Sequence, residues 1–162
     1  MKHIVVFASG SGTNFQSLID AVESGRIPAR IRGLISNKTD IGALQRARKH
    51  EIENQILSPS YFETYREYEE NLLQQLEDWE TDLIVLAGYM IKIPEAVIEA
   101  YRGKILNIHP SLLPKYGGKG FFGIHVHRAV IENGEKESGC TVHLVTEEYD
   151  KGPILALEKV PV

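Results

Sequence analysis

The sequence predicts an α/β fold: an open, mainly parallel sheet with helices on both faces and a mixed C-terminal end. Three observations carry this. First, the apolar runs at residues 4–8 (IVVFA) and 82–87 (DLIVLA) lack the polar alternation of a half-exposed strand, so they read as strands buried on both faces. Second, segments with helical spacing separate such runs for most of the length, and strand–helix alternation gives right-handed parallel crossovers. Third, the last two predicted strands, 139–146 and 154–160, have no obvious helix between them. That end is expected to be irregular or antiparallel.

The elements follow in order. After the first strand, Ser9-Gly10-Ser11-Gly12-Thr13 is a turn. Residues 14–23 place Phe15, Leu18, Ile19 and Val22 at helical spacing, and Ser24-Gly25 ends that helix. A second strand is predicted at 30–36, a short helix at 42–50 and a weak strand at 54–57. Residues 60–79 read as a longer helix, with Tyr61, Tyr65, Tyr68, Leu72, Leu73, Leu76 and Trp79 close to one face. A tyrosine stripe at this spacing is expected to be a core face rather than a ligand box. The strand at 82–87 ends at Gly88-Tyr89-Met90. A helix is predicted at 94–101, with Pro94 near its start, where a missing N–H costs least. The strand ending Ile105-Leu106-Asn107-Ile108-His109 comes next, then a helix at 125–133 stopped by Gly134. The result is a Rossmann-like arrangement.

A length of 162 residues suggests one domain. A chain of this size buries roughly 68–70% of its unfolded surface, so its core needs no disulfide or metal staple. A hydrophobic fraction of 43% and a charged fraction of 25% are those of an ordinary globular protein. The net charge of −4 does not indicate a broad nucleic-acid footprint. The single cysteine, Cys140, excludes an intrachain disulfide and suits a reducing compartment. The first apolar run is too short for a signal-peptide core, and no stretch approaches the roughly 20 apolar residues of a membrane span. A cytoplasmic protein with no membrane partner is expected.

Three stretches carry chemistry. In an extended segment alternate side chains share a face, so Asn107 and His109 point the same way and Ile108 points into the core. They offer an amide donor and an imidazole at the carboxyl end of a strand, where ligands bind in open α/β sheets. The ordinary alternative is a turn residue before Pro110 and an asparagine tying down its own backbone. The ASGSGTN turn presents backbone N–H groups at a helix start, a site for an anion, with donors on Ser11, Thr13 and Asn14. No Gly-Lys-Ser/Thr follows, so it is not a Walker A loop. Phe15 replaces the third glycine of a dinucleotide fingerprint, and the second strand ends in Asn37-Lys38 without an acidic residue. A phosphate monoester fits better; a plain helix cap is the alternative. In the third stretch, Glu147 to Pro153, Asp150 is placed to fold over the His109 edge, where a carboxylate stabilises and orients imidazolium. A solvated charged loop is the alternative.

Other candidates are weaker. His125 and His127 face different ways at a helix start and lack a third ligand, so no metal is expected. His143 shares a strand face with Thr141 and Val145, and either supports the site from behind or is a satisfied core histidine. Cys140 reads as a small buried apolar residue. Lys115 to Gly120 reads as a mobile basic loop facing an anionic substrate or simply exposed.

FASGSGTN, LAGYM, KILNIHPSLLPKYGGKGFFG and GCTVHLVTEEYDKGPIL together resemble the glycinamide ribonucleotide (phosphoribosylglycinamide) formyltransferase family, within the folate-dependent formyltransferases. The resemblance runs from Ile4 to Val162. It implies formyl transfer from the co-substrate 10-formyltetrahydrofolate to the amine of glycinamide ribonucleotide, in purine biosynthesis, without a metal. It implies catalytic Asn107, His109 and Asp150, with Asn107 and protonated His109 stabilising a tetrahedral oxyanion and Asp150 holding His109. Gly12, Thr13 and Asn14 match the family's phosphate site. Tyr89, Met90, Ile91, Lys92 and Ile93, together with Asn107 and the loop Val145, Thr146, Glu147, Glu148, Tyr149 and Asp150, match the segments that hold the folate, largely through backbone.

Two departures stand out. Ile91 replaces an arginine found in some members. The family continues through a further helix, contributing a glutamate, that these 162 residues do not contain. Partners are expected to be small molecules and not nucleic acid, with monomer and homodimer both open. The competing activities are a formyltetrahydrofolate hydrolase or tRNA formyltransferase, and, in another class, a non-catalytic phosphate-ligand sensor that would need the glycine turn but not His109.

Overall fold

The computed structural model describes residues 1–162, which divide into two compact units, Met1–Lys104 and Ile105–Val162. The first holds β1 (Lys2–Phe7), α1 (Thr13–Glu23), β2 (Ala29–Ser36), α2 (Gly42–Lys49), β3 (Glu53–Ile56), a 3-10 turn (Pro59–Tyr61), α3 (Tyr65–Asp78), β4 (Leu83–Leu86) and α4 (Glu95–Ala100). β1 pairs in parallel with both β2 and β4, and β2 pairs in parallel with β3. This is the parallel α/β arrangement that the buried runs predict.

Alternation along β1 sends side chains to two covered faces. Ile4, Val6 and Ala8 join Phe15 and Ile19 of α1 and Ala43, Leu44 and Ala47 of α2 in one core cluster. On the other face Phe7 meets Tyr89 edge-on, with centroids 5.2 Å apart. There the ring of Trp79, just past α3, lies so close over Gly33 that a Cβ on Gly33 would stand 2.4 Å from it. Only glycine lets the indole sit flat on that strand. The indole N–H donates to Glu53 at 3.0 Å.

The long helix expected at 60–79 begins later. Thr64 caps α3: its hydroxyl accepts from the Glu67 N–H at 3.1 Å, and Glu67 reaches back to the Thr64 N–H. This reciprocal cap satisfies first-turn donors and stops the helix extending backwards. Tyr61 and Tyr65 are therefore exposed, contrary to the expected stripe, whereas Tyr68, Leu72, Leu76 and Trp79 are buried.

The second unit holds β5 (Ile105–His109), α5 (Ile124–Glu132), β6 (Glu137–Leu144) and β7 (Ile154–Pro161). β6 is antiparallel to both β5 and β7, as expected for strands with no intervening helix. β6 ends at Leu144, so Val145 and Thr146 already belong to the following loop. Val126 and Val130 turn the apolar face of α5 inward. No helix is long and apolar enough to cross a membrane.

Candidate active site

In the second unit the register of β5 against β6 sets Asn107 opposite His143 and His109 opposite Thr141. Opposite residues in an antiparallel pair point to the same face, so the two histidines and the asparagine share one surface. His109, Thr141 and His143 are buried, while Asn107 is half-buried. Ile108, expected in the core, is only half-buried.

The loop after β5 is held from below by one hydroxyl. Thr141 Oγ1 accepts from the Leu113 N–H at 3.1 Å and donates to the Ser111 carbonyl at 2.7 Å. Ser111 in turn donates to the Lys115 carbonyl at 2.6 Å. At the far end Lys115 Nζ and the Tyr116 hydroxyl both reach Glu135 Oε1, each at 3.0 Å. Lys115, in the stretch expected to be a basic loop either facing an anionic substrate or simply exposed, is thus paired with Glu135. This loop delivers the Tyr116 carbonyl to His109, whose Nε2 donates to it at 2.6 Å.

Asp150 lies between the two imidazoles. Its Oδ2 is 3.5 Å from His109 Nδ1 and its Oδ1 is 3.5 Å from His143 Nε2. The Gly118 N–H donates to Oδ2 at 2.8 Å. Asp150 adopts a left-handed backbone, φ 54°, which aims the carboxylate back from the loop. Gly152 permits that turn: a Cβ there would fall 1.6 Å from the Leu144 carbonyl oxygen. Burial raises the Asp150 carboxyl, but the His143 hydrogen bond, the Gly118 N–H and the adjacent imidazole charges outweigh it, and the net shift is downward. For His143, burial opposes the charge, yet the bonds to Asp150 and to the Leu144 carbonyl prevail and the shift is upward. Chemically, this is an ionised carboxylate shared by two rings, with an amide alongside.

In the first unit Gly12 caps α1 with φ 74° and, having no side chain, makes no cap hydrogen bond to the helix start. A Cβ on Gly12 would meet Ala43 at 2.7 Å, and one on Gly42 would meet the Ser11 carbonyl oxygen at 2.6 Å. The turn is therefore clamped against α2. Thr13 and Asn14 are exposed. Beyond β4, the Met90 N–H donates to Ser9 Oγ at 2.9 Å and Ser9 donates to Asn37 Oδ1 at 2.5 Å. The Tyr89 ring is committed to Phe7, and its hydroxyl lies 3.3 Å from that of Tyr68. Burial pushes the Tyr89 hydroxyl far above its ordinary range. Met90 and Lys92 are exposed, Ile91 half-buried and Ile93 buried.

Of the remaining candidates, His125 and His127 are both exposed. Cys140 is half-buried rather than buried and lines an apolar groove with Val160 and Val162. In the loop after β6, Glu147, Glu148 and Tyr149 are exposed, Glu148 pairs with Lys151 at 2.9 Å, and Thr146 donates to the Glu148 carbonyl at 3.3 Å. The Val145 N–H donates to the Ile105 carbonyl at 2.9 Å. Sequence reasoning missed Ser111, the Tyr116 carbonyl and the Gly118 N–H. The last two are backbone groups, which no side-chain pattern announces.

The formyl transferase family model matches residues 2–162, and the chain belongs to that family of group-transferring enzymes. It is 42% identical to the phosphoribosylglycinamide formyltransferase of Escherichia coli strain K12, over 99% of this chain and 73% of that protein. It is 44% identical to the protein of the same name from Haemophilus influenzae, over 100% of this chain and 74% of that one. The crystal structure of glycinamide ribonucleotide transformylase 1 from Symbiobacterium toebii superposes with a TM-score of 0.92 at 39% identity, covering 100% of this chain and 74% of that one.

Proposed function

We propose that this chain transfers a formyl group from 10-formyltetrahydrofolate to the amine of glycinamide ribonucleotide, a step of de novo purine biosynthesis, as one formyltransferase domain in the cytoplasm. The observation that carries this reading is the convergence of Asn107, His109 and Asp150, from a strand and a distant loop, in a chain 42–44% identical to named transferases.

In this reaction the amine attacks the formyl carbon and a tetrahedral oxyanion forms. The new C–N bond is then kept and the bond to the folate nitrogen breaks. His109 Nε2 is engaged by the Tyr116 carbonyl, so Nδ1 is the nitrogen left for the reacting oxygen. At 3.5 Å Asp150 is too far to hold Nδ1–H in a short charge-assisted bond, and it faces the ring across that gap. Asn107 supplies the second donor. Each such preorganised donor contributes about 10²–10³ in rate. Asp150 takes part in carrying the amine proton towards the leaving nitrogen.

Gly12, Thr13 and Asn14 bind the ribonucleotide phosphate. Support comes from a helix start with no side-chain cap, whose first-turn N–H groups suit an anion. Tyr89 to Ile93 and Val145 to Asp150 hold the folate. Because the half-buried Tyr89 ring packs against Phe7, it is not free for the folate, and that segment's contact is largely through backbone.

The test follows folate product absorbance from a 10-formyl folate donor with and without glycinamide ribonucleotide. Product that requires the ribonucleotide is expected. Donor turnover without it would assign a hydrolase instead, and ligand binding without turnover a sensor.

A further inference from the structure

We propose that His143 is a positioning residue whose charge state decides which end of the Asn107 amide faces the reacting oxygen. This rests on the proposed transfer, because it concerns the oxyanion that Asn107 meets there.

The geometry leaves His143 one variable atom. Its side chain is 3% exposed. Nδ1 donates to the Leu144 carbonyl at 3.0 Å, so this nitrogen carries hydrogen whether the ring is neutral or charged. Nε2 alone gains or loses a proton. It lies 3.0 Å from Asn107 Nδ2. An amide has a donor at one end and an acceptor at the other. As seen here, Nδ2 donates to Nε2, which requires a neutral ring. A charged ring carries hydrogen on Nε2, and two N–H groups cannot share that contact. The amide then turns over and presents Oδ1 to His143, with little change of shape.

The two orientations differ at the amide's far end. With His143 neutral, the carbonyl oxygen stands away from the ring and repels an oxyanion. With His143 charged, the amide nitrogen stands there and donates to it. Asp150 Oδ1 competes for Nε2–H from 3.5 Å, a weaker geometry than the 3.0 Å contact with Asn107. The titratable groups meeting this cluster are Asp150, from the loop after β6, and His109 of β5 on the carboxylate's other oxygen. On β7 the residue in register with His143 is Ile154, which carries no charge. Asp150 therefore biases the ring towards the charged, productive form, consistent with the upward shift at His143.

The test reads the Asn107 side-chain amide directly, by nitrogen-15 NMR of the whole chain across about pH 5 to 9. The amide pair is expected to shift with the midpoint of the His143 ring nitrogens, and the step should vanish in His143→Leu. An amide pair that stays fixed while the ring titrates overturns the proposal, as does a ring that keeps one charge state throughout. In kinetics, His143→Leu should lower kcat by about tenfold or more with little change in the folate KM. His143→Gln, whose N–H can hold Asn107 Oδ1 without titrating, should recover most of kcat and lose the alkaline fall that His143 imposes. Equal losses in both variants, with the wild-type pH profile retained, overturn it too. The NMR measurement on wild-type protein needs neither turnover nor a folded variant. A chain that transfers no formyl group would remove the proposed function and leave that measurement decisive for the amide.

Discussion

The Tyr116 carbonyl oxygen and His109 Nε2 lie 2.6 Å apart, and this contact fixes the tautomer of the ring. It places the hydrogen on Nε2 and turns Nδ1 towards Asp150. The carbonyl can reach His109 because Tyr116 has a left-handed backbone, φ 55°, while its hydroxyl is held by Glu135.

Tyr116→Phe keeps the ring and removes that anchor. We expect kcat to fall by about threefold, the effect of one modest hydrogen bond, with the folate KM unchanged. Steady-state kinetics checks this. A rise in KM alone would place Tyr116 in binding instead.

Asp150→Asn should lower kcat by about 10²-fold or more, since it removes the carboxylate that faces His109 and helps carry the amine proton. It should also change how stability depends on pH. The native Asp150 carboxyl lies below its ordinary value, so the unfolded chain binds that proton first. The stabilisation is full above the unfolded value of about 4 and is lost as pH falls through the native one. His143, shifted upward, contributes fully below about 6.5 and loses its contribution as pH rises through the native value. Urea midpoints measured against pH should therefore separate wild type from Asp150→Asn most between these ranges, with the gap closing on the acid side.

Gly152→Ala would drive a methyl group into the Leu144 carbonyl, so the loop must shift and carry Asp150 with it. Activity should fall at least about tenfold with a lowered urea midpoint. Gly10→Ala meets nothing within 4 Å and should fold like wild type. A rise in the ribonucleotide KM in Gly10→Ala would point to a phosphate seated against that turn.

Thr64→Ala removes the side chain that accepts from the Glu67 N–H. It should cost about 1 kcal/mol in chemical denaturation and leave the kinetics unchanged, because the cap only fixes the start of α3.

Much of this was legible from residue patterns. The buried runs gave the strands, and alternation on β6 put His143 on the face of Thr141, the register now seen against His109 and Asn107. The start of α3 is signalled by Thr64 and Glu67, which stand at the spacing of a reciprocal cap. Tyr61 and Tyr65 obscure that signal by carrying the helical spacing upstream of the cap. The pairing of Lys115 is not legible because Glu135, its partner, lies beyond α5 in sequence. The Tyr116 carbonyl was invisible for a deeper reason: its direction depends on one backbone torsion, and residue identity does not set that torsion.

Trp79, stacked on Gly33 and bonded to Glu53, is the only tryptophan in the chain, and all three residues belong to Met1–Lys104. Its emission therefore reports on the folding of that unit. An unfolding curve followed at the indole, set beside one followed at an amide of the second unit, would tell whether the molecule melts in a single step or in two.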